Sequence, residues 1–288
     1  MTKIILPKNS EIRTLFENVA KSKRFVFVAG IPGVGKSLYV QQLALMAQAA
    51  GRTVHLFQYD VTRMAFENSP AGQEKYPEIN GFTQPAMRKA VGMWAREGIV
   101  EWHQTYGDAQ HILIGELPLV GNRLIEVVQK GLDPAENLLR GDLAQYLVPV
   151  PSKRIRQKIE AARIASIANP RNEKEVKDAE PQVLKDNWEE TFKLAFKLGL
   201  VESVPFDGEI EYEPRAYAGV FEHLLQHRPS QTLHVDLDLK PSGSVYDLEN
   251  IASEPKASQA EVNRIIAKME RSMTAEMIEQ SVDDWYKV

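Results

Sequence analysis

The run Gly30-Ile31-Pro32-Gly33-Val34-Gly35-Lys36-Ser37 fits the pattern G-x-x-x-x-G-K-[ST] at every position. Each residue type has a chemical reason to be there. Glycines let the backbone curl until the N–H groups of Gly33, Val34, Gly35, Lys36, Ser37 and Leu38 converge on phosphate oxygens at the start of a helix. The Lys36 ammonium reaches the outer phosphates, and the Ser37 hydroxyl suits Mg2+, a hard cation that prefers oxygen. The expectation is a phosphate-binding loop for a nucleoside triphosphate and magnesium, with Gly30, Gly33, Val34, Gly35, Lys36, Ser37 and Leu38 as its binding residues and Lys36 also catalytic.

Two carboxylates and three arginines extend that chemistry. Asp60 and Glu116 each follow an apolar segment, where the carboxyl ends of parallel strands assemble sites. Asp60 is placed to accept a proton from an acceptor hydroxyl; Glu116 either serves as that base or holds magnesium through water. The residues do not decide between them. Arg63, Arg88 and Arg123 carry guanidinium forks that match a phosphate or carboxylate bidentately, so they are the expected grips for an anionic acceptor.

The elements that must position these groups are readable from periodicity. Residues 25–29 are a wholly apolar strand, 38–50 an alanine-rich helix ended by Gly51, and 53–59 the next strand, which together open a βαβ unit. Further strands are expected at 111–115, 146–150 and 233–239, the last alternating Leu233, Val235, Leu237 and Leu239 with polar residues, as on a sheet edge. Helices are expected at 11–21 after the cap Ser10, and at 85–97, 124–130, 153–168 after the cap Ser152, 183–198 and 259–280. Residues 68–81 read as a mobile loop, 169–181 as a charged exposed segment and 241–258 as a linker. The repeat Leu184, Trp188, Phe192, Phe196 is a core-facing stripe, and Asp236 and Asp238 are a solvated face. His223 and His227 stand four apart, but without the glutamate of a zinc hydrolase motif they are surface histidines.

Bulk properties restrict the alternatives. A chain of 288 residues suits one large α/β domain with insertions, or one domain plus a smaller appendage. A net charge of −4 gives no general attraction to nucleic acid or an anionic membrane. The chain has no cysteine, which removes disulfides, thiolate metal sites and cysteine nucleophiles, and fits a reducing cytoplasm. No stretch is long and apolar enough for a signal core or a membrane span, so a cytoplasmic location is expected.

Several triphosphate-using classes lack their marks here: no Asn-Lys-x-Asp follows the loop, no Leu-Ser-Gly-Gly-Gln is present, and the third strand does not end in Asp-Glu. The chain instead resembles the P-loop kinase-like superfamily, which includes nucleoside and nucleotide kinases, adenylylsulfate kinase and the zeta-toxin kinases. Besides the loop, Asp60-Val61-Thr62-Arg63 is similar to the Asp-x-x-Arg beside the acceptor of adenylylsulfate kinase. Glu116 through Arg123 resembles the Glu-Arg-Ser stretch of deoxynucleoside kinases, departing from it at Leu117. The basic segment with Arg154, Arg156 and Arg163 is similar to a lid whose arginines neutralise the transferring phosphoryl group.

The resemblance implies a three-layer P-loop NTPase sandwich with a parallel five-stranded sheet in the order 2-3-1-4-5 and helical insertions. Residues 1–240 would form the domain, with an acceptor-binding insert at about 61–110 and a lid and helical insertion at about 151–232; residues 241–288 would be linker and C-terminal helix. It implies an ATP- and Mg2+-dependent kinase of a nucleoside, nucleotide or sugar nucleotide. The competing expectation is an ATPase switch whose partner is a protein, using residues 166–232 and the C-terminal helix as its surface.

Overall fold

Five consecutive apolar residues, Phe25–Ala29, form β1, and all five are buried because β1 lies inside a sheet covered on both faces. Phe25, Phe27 and Ala29 point into one core and Val26 and Val28 into the other, as the two-residue period of a strand requires. The structure, a computed structural model, describes residues 3–79, 83–176, 179–205, 208–241 and 243–288.

The chain enters through α1 (Glu11–Ser22), whose cap Ser10 accepts from the Arg13 amide, and continues from β1 into α2 (Lys36–Ala49). Next come β2 (Thr53–Gln58), α3 (Tyr59–Glu67), α4 (Pro70–Lys75), α5 (Pro85–Thr105) and β3 (His111–Leu117). Then follow α6 (Ala135–Arg140), β4 (Ala144–Pro151), α7 (Lys153–Ala168), α8 (Glu173–Val176), α9 (Pro181–Lys197), α10 (Pro214–Leu224) and β5 (Ser230–Val235). Last are β6 (Ile251–Ser253), α11 (Gln259–Ser272) and α12 (Ala275–Asp283). The six strands form one all-parallel sheet, ordered β5-β4-β1-β3-β2-β6. Helices α1 and α2 cover one face; α5, α9, α10 and α11 cover the other, with Trp94, Tyr217 and Phe221 in that core. This is a three-layer α/β architecture.

The sheet differs from the expected one at both edges. It has six strands rather than five, because Ile251–Ser253, inside the segment read as linker, adds to β2 and extends the order 2-3-1-4-5. Three residues carry too little pattern to announce a strand. At the other edge β5 begins and ends earlier than the Leu233 to Leu239 alternation suggests. Its ladder runs from Tyr146↔Ser230 to Pro151↔Val235, and β4 stops there.

Other elements shift for identifiable reasons. The helix expected at 124–130 is only a 3-10 turn, Ile125–Val127, entered through Leu124 at φ 65°. Residues read as a loop contain α4, while 80–82 lie outside the described residues. The C-terminal helix is two helices: Met273 is extended and the Thr274 hydroxyl caps α12. Of the expected stripe on α9, Leu184, Trp188 and Phe192 are buried, but Phe196 is 48% exposed. The 21-residue α5, inside the expected acceptor insert, is mostly core, since Ala90, Val91, Trp94 and Ile99 pack under the sheet. Among the described residues no helix is long and apolar enough to cross a membrane.

Candidate functional site

The glycine loop leaves β1 at Gly30 and ends in the first turn of α2. Gly35 is the N-cap of α2 at φ 88°, a left-handed conformation that L side chains rarely adopt, and α2 opens without a side-chain cap. Gly30 is required for a different reason. A Cβ there would sit 2.5 Å from the Tyr217 hydroxyl and 2.7 Å from Val34 Cγ2. Val34 itself is buried packing.

Lys36 is 6% exposed; its ammonium donates to the Ile31 carbonyl at 3.1 Å and pairs with Glu116 Oε1 at 3.3 Å. Burial pushes its pKa down, and the Glu116 carboxylate opposes that. The second carboxylate oxygen, Oε2, accepts from the Ser37 hydroxyl at 3.4 Å. Parallel register produces this meeting: Glu116 stands opposite Val28 on β1 and Gln58 on β2, so its side chain emerges beside the loop. Hydroxyl and carboxylate together form a hard-oxygen pair of the kind that takes magnesium alongside phosphate and water oxygens. In donor type and in glycine geometry, the residues present fit a magnesium-bound triphosphate.

These groups open into a cavity of about 990 Å3 that also reaches the ends of β2 and β3, α7, and the segment after β5 from Leu237 to Pro241 with Gly243, Val245 and Tyr246, at the upper end of the range for small-molecule sites. Asp60 lines it from the first turn of α3, but its side chain is 79% exposed and paired with Arg63 at 3.3 Å. Of the two expected carboxylates, Glu116 touches the loop; Asp60 acts on Lys36 only through its field. Arg63, Arg88 and Arg123 line the cavity as well. Lys174 and Gln58 line it and are bonded to each other, the ammonium donating to the Gln58 amide oxygen at 3.1 Å.

The three arginines of α7 separate. The Arg156 side chain is 3% exposed, and its guanidinium carbon would sit 3.4 Å from a Cβ at Gly33. It donates through Nε to Glu160 at 2.6 Å, lies 4.9 Å from the Tyr212 ring centroid, and has no partner for Nη1 among the described residues. Arg163 lines the cavity and lowers the Lys36 pKa by like-charge repulsion. Arg154 does not belong with them. Its guanidinium is 52% exposed and bound to Asp236 at 2.9 Å, away from the loop. At 3.6 residues per turn, positions 154 and 156 take opposite faces whereas 156 and 163 share one. Asp236 and Asp238 are ion-paired surface groups, with Arg154 and Lys158.

Sequence reasoning missed Tyr217 on α10, whose hydroxyl lies against Gly30, Tyr212, which packs on Tyr217 and Arg156, and Asn187 and Tyr59, which line the cavity. None carries a local signal, since their relevance comes from packing between distant segments. His223 donates through Nε2 to the Tyr286 carbonyl at 2.9 Å, near the C-terminus, and has no place in the site.

No family model matches the chain, and no curated protein or solved structure resembles it closely enough to count as a match. What stands is a class: a three-layer α/β protein with an all-parallel six-stranded sheet and a charged cavity at the carboxyl ends of its strands.

Proposed function

We propose that this protein is a phosphate-loop phosphotransferase that moves a phosphoryl group from Mg-ATP to a small-molecule acceptor: a nucleoside, nucleotide or sugar nucleotide. The observation that carries the proposal is the single carboxylate of Glu116 spanning Lys36 and Ser37 inside a cavity also lined by Arg63, Arg88, Arg123, Arg163 and Arg171. Loop amides and the start of α2 receive the phosphates, Lys36 neutralises their charge, and Ser37 with Glu116 offers oxygens to the metal. Bound magnesium supplies charge neutralisation on the transferring group. Such transfer asks mainly for positioning and electrostatics. Where Ser37 holds the metal without it, Glu116 is the first candidate to take the acceptor's proton, since it lies against the loop; where Glu116 serves the metal, that role falls to Asp60 at the rim. Arg156 and Arg163 bring positive charge from α7, in the manner of a lid. A cytoplasmic setting, where the triphosphate is plentiful, goes with this proposal.

The test is ADP production from Mg-ATP with and without a pool of nucleosides, nucleotides and sugar nucleotides. Acceptor-dependent turnover supports the transferase. Stimulation by a protein alone would move the assignment to a nucleotide-operated switch. No magnesium-dependent ATP or GTP affinity by calorimetry, with Lys36→Ala indistinguishable from wild type, overturns both.

A further inference from the structure

The part of the cavity lined by Tyr59, Arg63, Arg88 and Arg123 has an uneven charge balance. Arg63, Arg88 and Arg123 converge on the Tyr59 phenol: burial pushes its pKa up, while Arg123, Arg63 and Arg88 each pull it down. Their counter-charges are unevenly shared. Arg63 is held by Glu67 at 3.0 Å, Asp60 at 3.3 Å and Glu78 at 3.5 Å, three carboxylates on one cation. Arg88 instead donates to the Thr83 and Gly121 carbonyls, each at 3.0 Å, and Arg123 to the neutral Asn187 amide oxygen at 2.7 Å. Glu190, beyond Gly121, acts on both only at longer range.

These bonds orient the two guanidiniums without neutralising them. Arg88 is fixed through Nε and Nη1 and Arg123 through Nη1. Among the described residues that leaves Arg88 Nη2 and Arg123 Nε and Nη2 unused, and none of the three is among the sealed, unpartnered atoms of the interior. They are open to a ligand entering the cavity that both residues line. Two neighbouring cations with spare donors repel one another; burial and then Arg123 push the Arg88 pKa down. A dianion between them removes the repulsion and fills the donors, and guanidinium forks match phosphate oxygens.

We infer that Arg88 and Arg123 form a subsite for a phosphate dianion, so that the acceptor is a phosphomonoester held by its own phosphate rather than a neutral nucleoside. The word acceptor rests on the proposed phosphoryl transfer; the anion subsite does not. Arg63 is not a grip, because its charge is already spent on α3 and its surroundings. Asn187 is a positioning residue, holding the Arg123 fork from α9.

Calorimetric titration of the full-length protein with inorganic phosphate tests the subsite. Wild type takes two phosphates, one at the glycine loop and one at the arginine pair. Lys36→Ala removes the first and keeps the second. Adding Arg88→Gln or Arg123→Gln to Lys36→Ala weakens the remaining site about tenfold or more, the loss expected for charged hydrogen bonds. Arg123→Lys, which keeps the charge and loses the fork, falls between, and circular dichroism selects the folded variants. A remaining site equally strong in the arginine variants, or no second site at all, overturns the inference. A second arm compares ADP production with 5′-mononucleotides and sugar phosphates, with their dephosphorylated counterparts, and with malonate as a carboxylate control. Equal turnover of neutral nucleosides sinks the phosphomonoester and leaves the transferase standing. An arginine-dependent phosphate site in a protein without Mg-ATP affinity does the reverse.

Discussion

The two ends of the sheet handle charge in opposite ways. At the amino ends of the strands, Arg52 donates to the Ala20 and His111 carbonyls at 2.9 and 2.8 Å and to the Lys23 carbonyl, and Arg24 lies over Trp102 at 5.3 Å. His55, wholly buried, links the Ser253 hydroxyl at 2.6 Å to His111 at 2.9 Å, with its ring 4.3 Å from that of Tyr106. Polar capacity there goes into tying α1, α5 and β6 to the sheet. At the carboxyl ends, Lys36, Glu116, Arg88 and Arg123 instead line an open cavity and keep donors and acceptors for something else. Placement by strand polarity, not charge content, separates the end whose polar groups tie elements together from the end whose polar groups line the cavity.

The comparison breaks first at Lys36. Lys36→Ala is expected to cut ATP-dependent turnover about 1,000-fold, the loss that follows removal of a preorganised charge from a phosphoryl site. Steady-state ADP release measures it; a loss below tenfold would remove Lys36 from the chemistry. Glu116→Gln is expected to cost about 100-fold, the scale of a lost proton acceptor. Asp60→Asn costs much less, because that side chain is largely exposed and already engaged by Arg63. Equal effects of the two substitutions would erase the distinction drawn from the contacts of Glu116 with Lys36 and Ser37.

The opposite end predicts a pH effect on stability. Burial, then the neighbouring His111, depresses the His55 pKa from 6.5 to about 4. Between these values the unfolded chain binds the proton and the folded chain refuses it. The stability from neutral His55 is therefore complete above pH 6.5 and lost as pH falls toward 4. Linkage puts the loss at about 2 kcal/mol between pH 7 and 5. His103, depressed by burial and Arg24, adds in the same direction. Urea unfolding at both pH values reads the difference, and His55→Gln should flatten it. An unchanged slope in that variant assigns the acid sensitivity elsewhere.

Legibility in the sequence followed the same division. The glycine loop, Lys36 and Ser37 were readable because loop and helix start are contiguous, and Glu116 because it ends an apolar strand. β1 to β4 stood out through apolar runs that only a doubly covered sheet tolerates. What escaped was set by neighbours rather than by local residues. β5 ends where β4 ends, β6 is three residues borrowing a ladder from β2, and Tyr217 reaches Gly30 from α10. Helices α9 and α10, inside the segment 166–232, enter the core, and Tyr217 of α10 stands behind the loop, a placement no local pattern announced.

The smallest expected effect tests the division within one helix. Arg154 and Arg156 are two residues apart on α7 and equal in charge, so a lid acting only as a basic cloud would lose similar activity with either. The contacts say otherwise: Arg154 is spent on Asp236 in solvent, while Arg156 is buried against Gly33 and over Tyr212. Exposed pairs contribute at most about 1 kcal/mol. Arg154→Ala should change KM and kcat by less than about twofold and lower the melting temperature only slightly. Arg156→Ala removes the side chain packed on the loop, so it should raise the KM for ATP and lower kcat together. Matched losses in the two variants would mean that α7 contributes diffuse charge, and that the helix face turned toward Gly33 has no special role.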